Sequence, residues 1–182
     1  MQTTGRALVD AVRSSDRDER NEAYRAVIEA TDTPVEWAYD VWDDVVADLG
    51  HADNHVRSIA AQLLCNLAKS DPEQRILTAL PALLDLTRDP RFVTARHCLQ
   101  ALWKVGAAGA PQRAAYRDGL VARFADCREE KNWSLIRHDI AQSLRNAYDA
   151  TGDETLRATA EQLIDSESDV KYRKKYAALW KR

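Results

Sequence analysis

The sequence has little that breaks regular structure. Six glycines and five prolines in 182 residues are too few for a loop-rich or disordered chain. Its three cysteines, Cys65, Cys98 and Cys127, lie far apart and form no CxxC pair. An odd, scattered set makes no disulfide framework and offers no clustered zinc ligands, so the thiols are expected to be buried and reduced. No apolar run approaches the roughly 18 residues of a membrane helix. The opening segment MQTTGRALVDAVRSSDRDER is polar and charged, without the apolar stretch of a secretory leader. These absences make the cytoplasm the expected compartment and a membrane role unexpected. Positive charge is not in excess either. A net charge of −3 weighs against coating nucleic acid by bulk charge, though it leaves room for a local basic groove. There is no Gly-rich phosphate loop, nucleophile elbow or zinc-helix motif, so no catalytic residues, cofactor or metal are expected. No alternating Val/Ile/Thr run predicts a strand.

What is present is helical periodicity. A hydrophobic content of 45% suffices for the core of one domain spanning residues 1–182. Pro34, Pro72, Pro90 and Pro111 each precede an apolar-periodic stretch, where a missing N–H is harmless. Asp53 and Asn54 can cap a helix start, and Gly50, Gly106 and Gly152 can end one. The pattern predicts ten helices, over 3–13, 16–31, 34–49, 53–69, 72–87, 90–106, 110–128, 132–150, 152–164 and 168–182. Their short connections make neighbours antiparallel.

The second helix of each pair carries an arginine in a fixed place. Arg20, Arg57, Arg96, Arg137 and Arg173 are separated by 37, 39, 41 and 36 residues. Three residues after them come Ala23, Ala60, Leu99, Ile140 and Tyr176, and seven after come Val27, Leu64, Trp103, Leu144 and Trp180. These positions share one helical face, which has to pack on a neighbour. Leu64, Leu99, Leu102, Ile140 and Leu144 are therefore predicted core. A period near forty with two helices per unit marks a helical solenoid.

The segments DNHVRSIAAQLLCNL (53–67) and LPALLDLTRDPRFVTARHCLQAL (80–102) resemble HEAT repeats. They carry the first-helix proline (Pro81), the aspartate before the second helix (Asp53, Asp89) and the valine-arginine step (Val56, Arg57). Repeat one lacks the valine, and the fourth has Trp133 where an aspartate would stand. The resemblance implies an all-α, right-handed α-α superhelix of about five stacked antiparallel helix pairs. It further implies that the second helices line the concave side, usually for protein binding.

The repeated arginines are expected to reach a carboxylate or carbonyl of the adjacent repeat and hold the stack in register, with Asp53, Asp89 and Asp169 as the matching acids. Trp37, Trp42, Trp103 and Trp180 are expected to pack inward. Trp133 either staples the first turn of its helix or stands at the groove edge as an aromatic anchor. His97 and His138 both follow a repeat arginine by one residue, and their stripe continues through Lys104, Gln142 and Arg145. It is either a solvated polar stripe or a groove floor. No carboxylate pair joins the histidines, and the His-Glu dipeptides of HEAT-like di-iron hydroxylases are absent, so a metal is not expected.

Charge is divided between first and second helices. Glu36, Asp40, Asp43, Asp44 and Asp48 crowd the helix at 34–49, whereas Lys171, Arg173, Lys174, Lys175, Lys181 and Arg182 fall in the last helix. That helix is also the one a solenoid would cap with charge. The function expected is a non-catalytic scaffold that grips a protein or peptide in the groove, an acidic one if the groove is basic. The candidate site is His97, Lys104, Trp133, His138, Gln142 and Arg145, and histidine titration near pH 6.5 should tighten binding of an acidic partner. The alternative is a nucleic-acid enzyme resembling the HEAT-like alkylpurine DNA glycosylases, built on Trp103, Trp133, Arg137, Asp139 and Arg145.

Overall fold

The structure, a computed structural model, describes residues 5–181. Its helices are α1 (Gly5–Ala11), α2 (Arg17–Ala30), α3 (Ala38–Asp48), α4 (Asn54–Leu67), α5 (Ile76–Leu86), α6 (Phe92–Ala101), α7 (Trp103–Ala108), α8 (Ala110–Asp126), α9 (Trp133–Thr151), α10 (Glu154–Asp165) and α11 (Val170–Ala178). No strand occurs among the described residues. Single 3-10 turns at Ala68–Ser70 and Cys127–Glu129 extend α4 and α8.

The helices form two layers. In one, α1 packs on α3, α5 on α8, and α8 on α10; in the other, α2 packs on α4, α4 on α6, α6 on α9, and α9 on α11. The chain is therefore a solenoid of antiparallel helix pairs, as the period near forty implies. Arg57, Arg96 and Arg137 occupy corresponding places near the starts of α4, α6 and α9. The core lies between the layers. Ala23, Ala60, Leu99, Ile140 and Tyr176 fill it three residues after each arginine, and Val27, Leu64 and Leu144 seven after. Trp42 is buried, and Trp37 packs on the core while half-exposed. All three cysteines are free and buried, and burial pushes the Cys65 thiol up to about 12.

Aspartates start many of these helices. Asp16, Asp53, Asp153 and Asp169 accept the otherwise orphan N–H groups of α2, α4, α10 and α11, a contact typically worth about 1 kcal/mol. Asn54 is instead the first residue of α4. Gly152 ends α9 in the left-handed region, at φ 66°, and donates its N–H to the Tyr148 carbonyl at 2.7 Å.

Several boundaries differ from those expected. Helices α3 and α5 start four residues after Pro34 and Pro72, not at them. At α5 the reason is Asp71, whose buried carboxylate accepts from the Arg75 and Ile76 N–H groups at 2.9 and 2.7 Å and so fixes the first turn there. The stretch at 90–106 is interrupted at Leu102, where Val105 N–H bonds back only three residues, to the Leu102 carbonyl at 3.0 Å. Trp103 and Trp180 pack against the core but stay half-buried. Gly106 does not end a helix. It lies inside α7, where a β-carbon would come within 2.6 Å of the Tyr116 ring. The last helix ends at Ala178, and residues 3 and 4 of the first expected helix, like Arg182, lie outside the described residues.

Leu64, Leu99, Leu102, Ile140 and Leu144 are all fully buried. Leu102→Ala is expected to lower unfolding stability by about 2–5 kcal/mol, the range for emptying a leucine site in a packed core. Urea denaturation monitored by far-UV circular dichroism measures this, and a loss under about 1 kcal/mol would show the core face to be misassigned.

Candidate functional site

The repeat arginines build the architecture around any site. Arg57 on α4 holds the Asp89 carboxylate with two bonds, at 2.7 and 3.1 Å. Arg96 on α6 holds Asp139 of α9 in the same way, at 2.6 and 2.9 Å. Arg137 on α9 donates to Glu167 at 2.6 Å and to the Phe124 carbonyl at 3.1 Å. Arg20 stands 4.0 Å from Asp53. Each rung thus runs from one second helix to a carboxylate of the following repeat. The acids at Asp53 and Asp89 are those expected. Asp169 is not a partner: its carboxylate caps α11, and the fully buried Glu167 takes Arg137 instead. Arg96, with no aspartate at position 133, finds Asp139 in the body of α9.

This geometry reassigns residues of the enzyme alternative. The Asp139 side chain is 4% exposed and paired with Arg96, so it is a structural carboxylate rather than an available base. Arg137 is committed to Glu167, and Arg145 to Asp149 at 2.9 Å.

The candidate residues lie along the second-helix layer as a stripe, not as one pocket. His97, on α6, shares a hydrogen bond at 2.8 Å with Ser58 of α4. Lys104, on α7, donates to the Asn66 side-chain oxygen of α4. On α9, Gln142 bonds Asn146 at 2.8 Å, and Arg145 also lies over the rings of Tyr148 and Trp180. His138 meets the Tyr176 ring edge-on, with centroids 6.4 Å apart. Trp133 is packed on both sides: Arg128 lies over its ring at 4.0 Å, and Tyr172 of α11 packs edge-on at 4.9 Å.

Both histidines are held below their ordinary pKa. Burial does this at His97, aided by the Arg96 charge; at His138 burial outweighs the attraction of Asp139, and Lys175 adds to the depression. Any charge-driven tightening is therefore expected at a lower pH than an ordinary histidine would give.

Two features had no signal strong enough to single them out in the sequence. Arg123 of α8 has a side chain only 1% exposed, bonded to the Thr87 hydroxyl and carbonyl and to Glu130 at 2.8 Å. Lys69, in the 3-10 turn after α4, donates to the carbonyls of Thr31 and Asp32, both at 2.9 Å. Among the described residues, no lysine makes an ion pair; Arg173, Lys174 and Lys175 of α11 also stand without one, Lys174 at the register of His97 and His138. No group of three or more His, Cys, Asp or Glu side chains among the described residues is placed to hold a metal ion, and no described helix is long and apolar enough to cross a membrane.

The fold is a helical-repeat solenoid of stacked antiparallel helix pairs. The chain is similar to a crystallised engineered protein at a TM-score of 0.59 and 18% identity, covering 98% of this chain and 78% of that one. A second engineered protein matches at a TM-score of 0.51 and 18% identity, over 96% of this chain and 46% of that one. A designed armadillo repeat protein in complex with a (KR)4 peptide superposes at 0.49, with 17% identity and 98% of each chain covered. No protein-family model and no curated protein matches the sequence.

Two predictions concern the rungs. Arg96→Ala leaves Asp139 buried without its partner and should cost about 3–5 kcal/mol, whereas Arg96→Ala combined with Asp139→Ala should be less destabilised than the single variant. Equal stability of the single variant and the parent in urea would remove the rung its structural role. The second concerns acid. Burial alone would raise the Asp89 and Glu167 carboxyls, but Arg57 with the Arg91 N–H, and the Asp169 N–H with Arg137, hold them below their ordinary values. A carboxyl depressed on folding contributes stability that is complete above its unfolded pKa, near 4, and lost as pH falls through the folded one. Urea midpoints should therefore decline below about pH 4.5, less steeply in an Arg57→Met, Asp89→Asn variant.

Proposed function

We propose that residues 1–182 act as a single non-catalytic module that binds an extended, acidic protein segment along the second-helix layer. The HEAT resemblance implies that this layer is the concave one. The observation that carries the reading is the set of cations on this layer with no carboxylate partner among the described residues: Arg17 and Arg25 on α2, Lys104 on α7, and Lys171, Arg173, Lys174 and Lys175 on α11. The first-helix carboxylates do not supply that partner. Asp44 and Asp48 of α3, for instance, are engaged by Arg6 of α1 and by Arg13 in the turn after it. A partner's acids can complete the neutralisation that the fold leaves open, and such complementarity governs association rate and register.

The proposed contact surface comprises His97, Lys104, His138, Gln142 and Arg145, with Lys174 extending the stripe and Trp133 at its edge. Substituting Trp133 would disturb the Arg128 and Tyr172 packing as well as binding, so lysines make cleaner probes.

A fluorescein-labelled dodecapeptide with glutamate at alternate positions tests the reading by anisotropy, with the lysine-for-glutamate peptide as control. The acidic peptide should bind, about tenfold more weakly to a Lys104→Glu, Lys174→Glu variant at low salt. The difference should shrink at about 300 mM salt. Equal binding of both peptides, or of parent and variant, would overturn the reading.

A further inference from the structure

Lys69 and Lys104 line one hollow, of about 380 Å³, between the end of α2 and α7. Trp103, Ala107 and Ala108 supply its apolar wall, and Asp32 completes the lining. A second hollow of about 560 Å³ shares Lys69 and Ala108 and continues over Val35, Tyr39 and Pro72, with Glu36 and Asp71 also in its lining. Two ammonium groups at a largely apolar hollow are an unusual placement, because each raises the electrostatic cost of the other.

The hydrogen bonds at these lysines are incomplete. Lys69 gives two of its three N–H donors to the Thr31 and Asp32 carbonyls, closing the C-terminal end of α2. Lys104 gives one to Asn66, whose amide in turn donates to the Thr31 hydroxyl at 3.0 Å. One donor on Lys69 and two on Lys104 remain, by the inventory of an ammonium group. Asn66 and the α2 carbonyls hold both side chains in place, so the site is pre-organised. Neither lysine has a carboxylate partner within the described residues, Asp32 included. Burial, and then the Lys104 charge, push the Lys69 ammonium below its ordinary pKa, and the nearby Asp32 carboxylate offsets this only in part.

We propose that this hollow is a carboxylate-binding site, in which Lys69 and Lys104 bind the carboxylate of a protein segment while an adjacent apolar side chain lies against Trp103, Ala107 and Ala108. The occupant's identity rests on the peptide-binding reading; the chemistry of the hollow does not. The free donors point to an oxyanion, and the apolar wall favours a carboxylate carried beside a hydrocarbon group over a bare hydrated anion. The neighbouring hollow over Val35 and Pro72 gives the segment a path onward.

The test uses the full chain, labelled with nitrogen-15, and four small probes: N-acetyl-leucine, which presents a terminal carboxylate; N-acetyl-leucinamide, its neutral counterpart; the α-monoamide of N-acetyl-leucyl-glutamate, which presents a side-chain carboxylate; and inorganic phosphate. At least one carboxylate probe should shift the Trp103 indole and the Ala107 and Ala108 amides in a saturable way, the neutral amide should not, and phosphate should bind more weakly. Whichever carboxylate probe binds tighter identifies a chain terminus or an acidic side chain as the occupant. Lys104→Met should weaken the response by about tenfold or more, the loss of a charged hydrogen bond. Asp32→Asn should strengthen it, a gain that no folding defect imitates. No saturable shift at Trp103, equal response to the neutral amide, tighter binding of phosphate, or weaker binding by Asp32→Asn would each overturn the assignment. If the dodecapeptide binds while the small probes leave Trp103 unmoved, the pocket fails and the peptide reading stands. If N-acetyl-leucine binds in the hollow and the dodecapeptide binds nowhere, the reading fails and the pocket stands.

Discussion

An arginine reaching from one second helix to a carboxylate of the next repeat is the contact on which the stack depends. Apolar faces bring the helices together, but burial of hydrocarbon is non-directional and tolerates a slip of one turn. The rung does not. Asp139 and Glu167 are buried beyond the reach of water, so a register that separates them from Arg96 or Arg137 leaves a charge unmet in the interior. Such a pair adds little net stability over an apolar pair of similar shape. Its contribution is to make neighbouring arrangements unfavourable, which matters most in an architecture where each repeat touches only its neighbours.

The same contact explains why the fold was more legible than its details. The arginines recur near a period of forty because each must leave its helix at the same angle. The acids keep no such spacing, because a carboxylate needs only to arrive at one point in space. Asp53 and Asp89 come from the segments before helices, Glu167 from the turn before α11, and Asp139 from within α9. Periodicity therefore finds the donors and misses half the acceptors. Helix starts obey a similar rule. Proline permits a start without requiring one, and after Pro72 the first turn waits for the Asp71 carboxylate to meet the Arg75 and Ile76 N–H groups.

The stripe of candidate residues was legible as a pattern but not in its bonding. Gln142 and Arg145 pair within α9, but two members bond about one repeat away: His97 with Ser58, and Lys104 with Asn66. A helical wheel displays what shares a face and is silent about what crosses to the next helix. Burial arising from those crossings is also the main cause that lowers the pKa of His97 and His138, and no pattern along their own helices displays it. Lys69 escaped for a simpler reason. It sits in a 3-10 turn beyond α4, where the 3.6-residue period no longer applies.

Arginine and lysine divide the work of this chain along chemical lines. A guanidinium is a planar fork that meets a carboxylate with two parallel bonds, and it loses little freedom in doing so. Arg57 and Arg96 use that geometry to fix helix against helix. An ammonium is a compact charge on a flexible stem, less able to define an angle and more able to follow a ligand. Lys104, Lys174 and Lys175 remain without acids on the layer that the repeats present in common. Once the forks are committed to architecture, the positive charge still available for recognition is carried mainly by lysine. A surface built this way favours partners whose carboxylates can adjust along a stripe over those requiring rigid bidentate recognition.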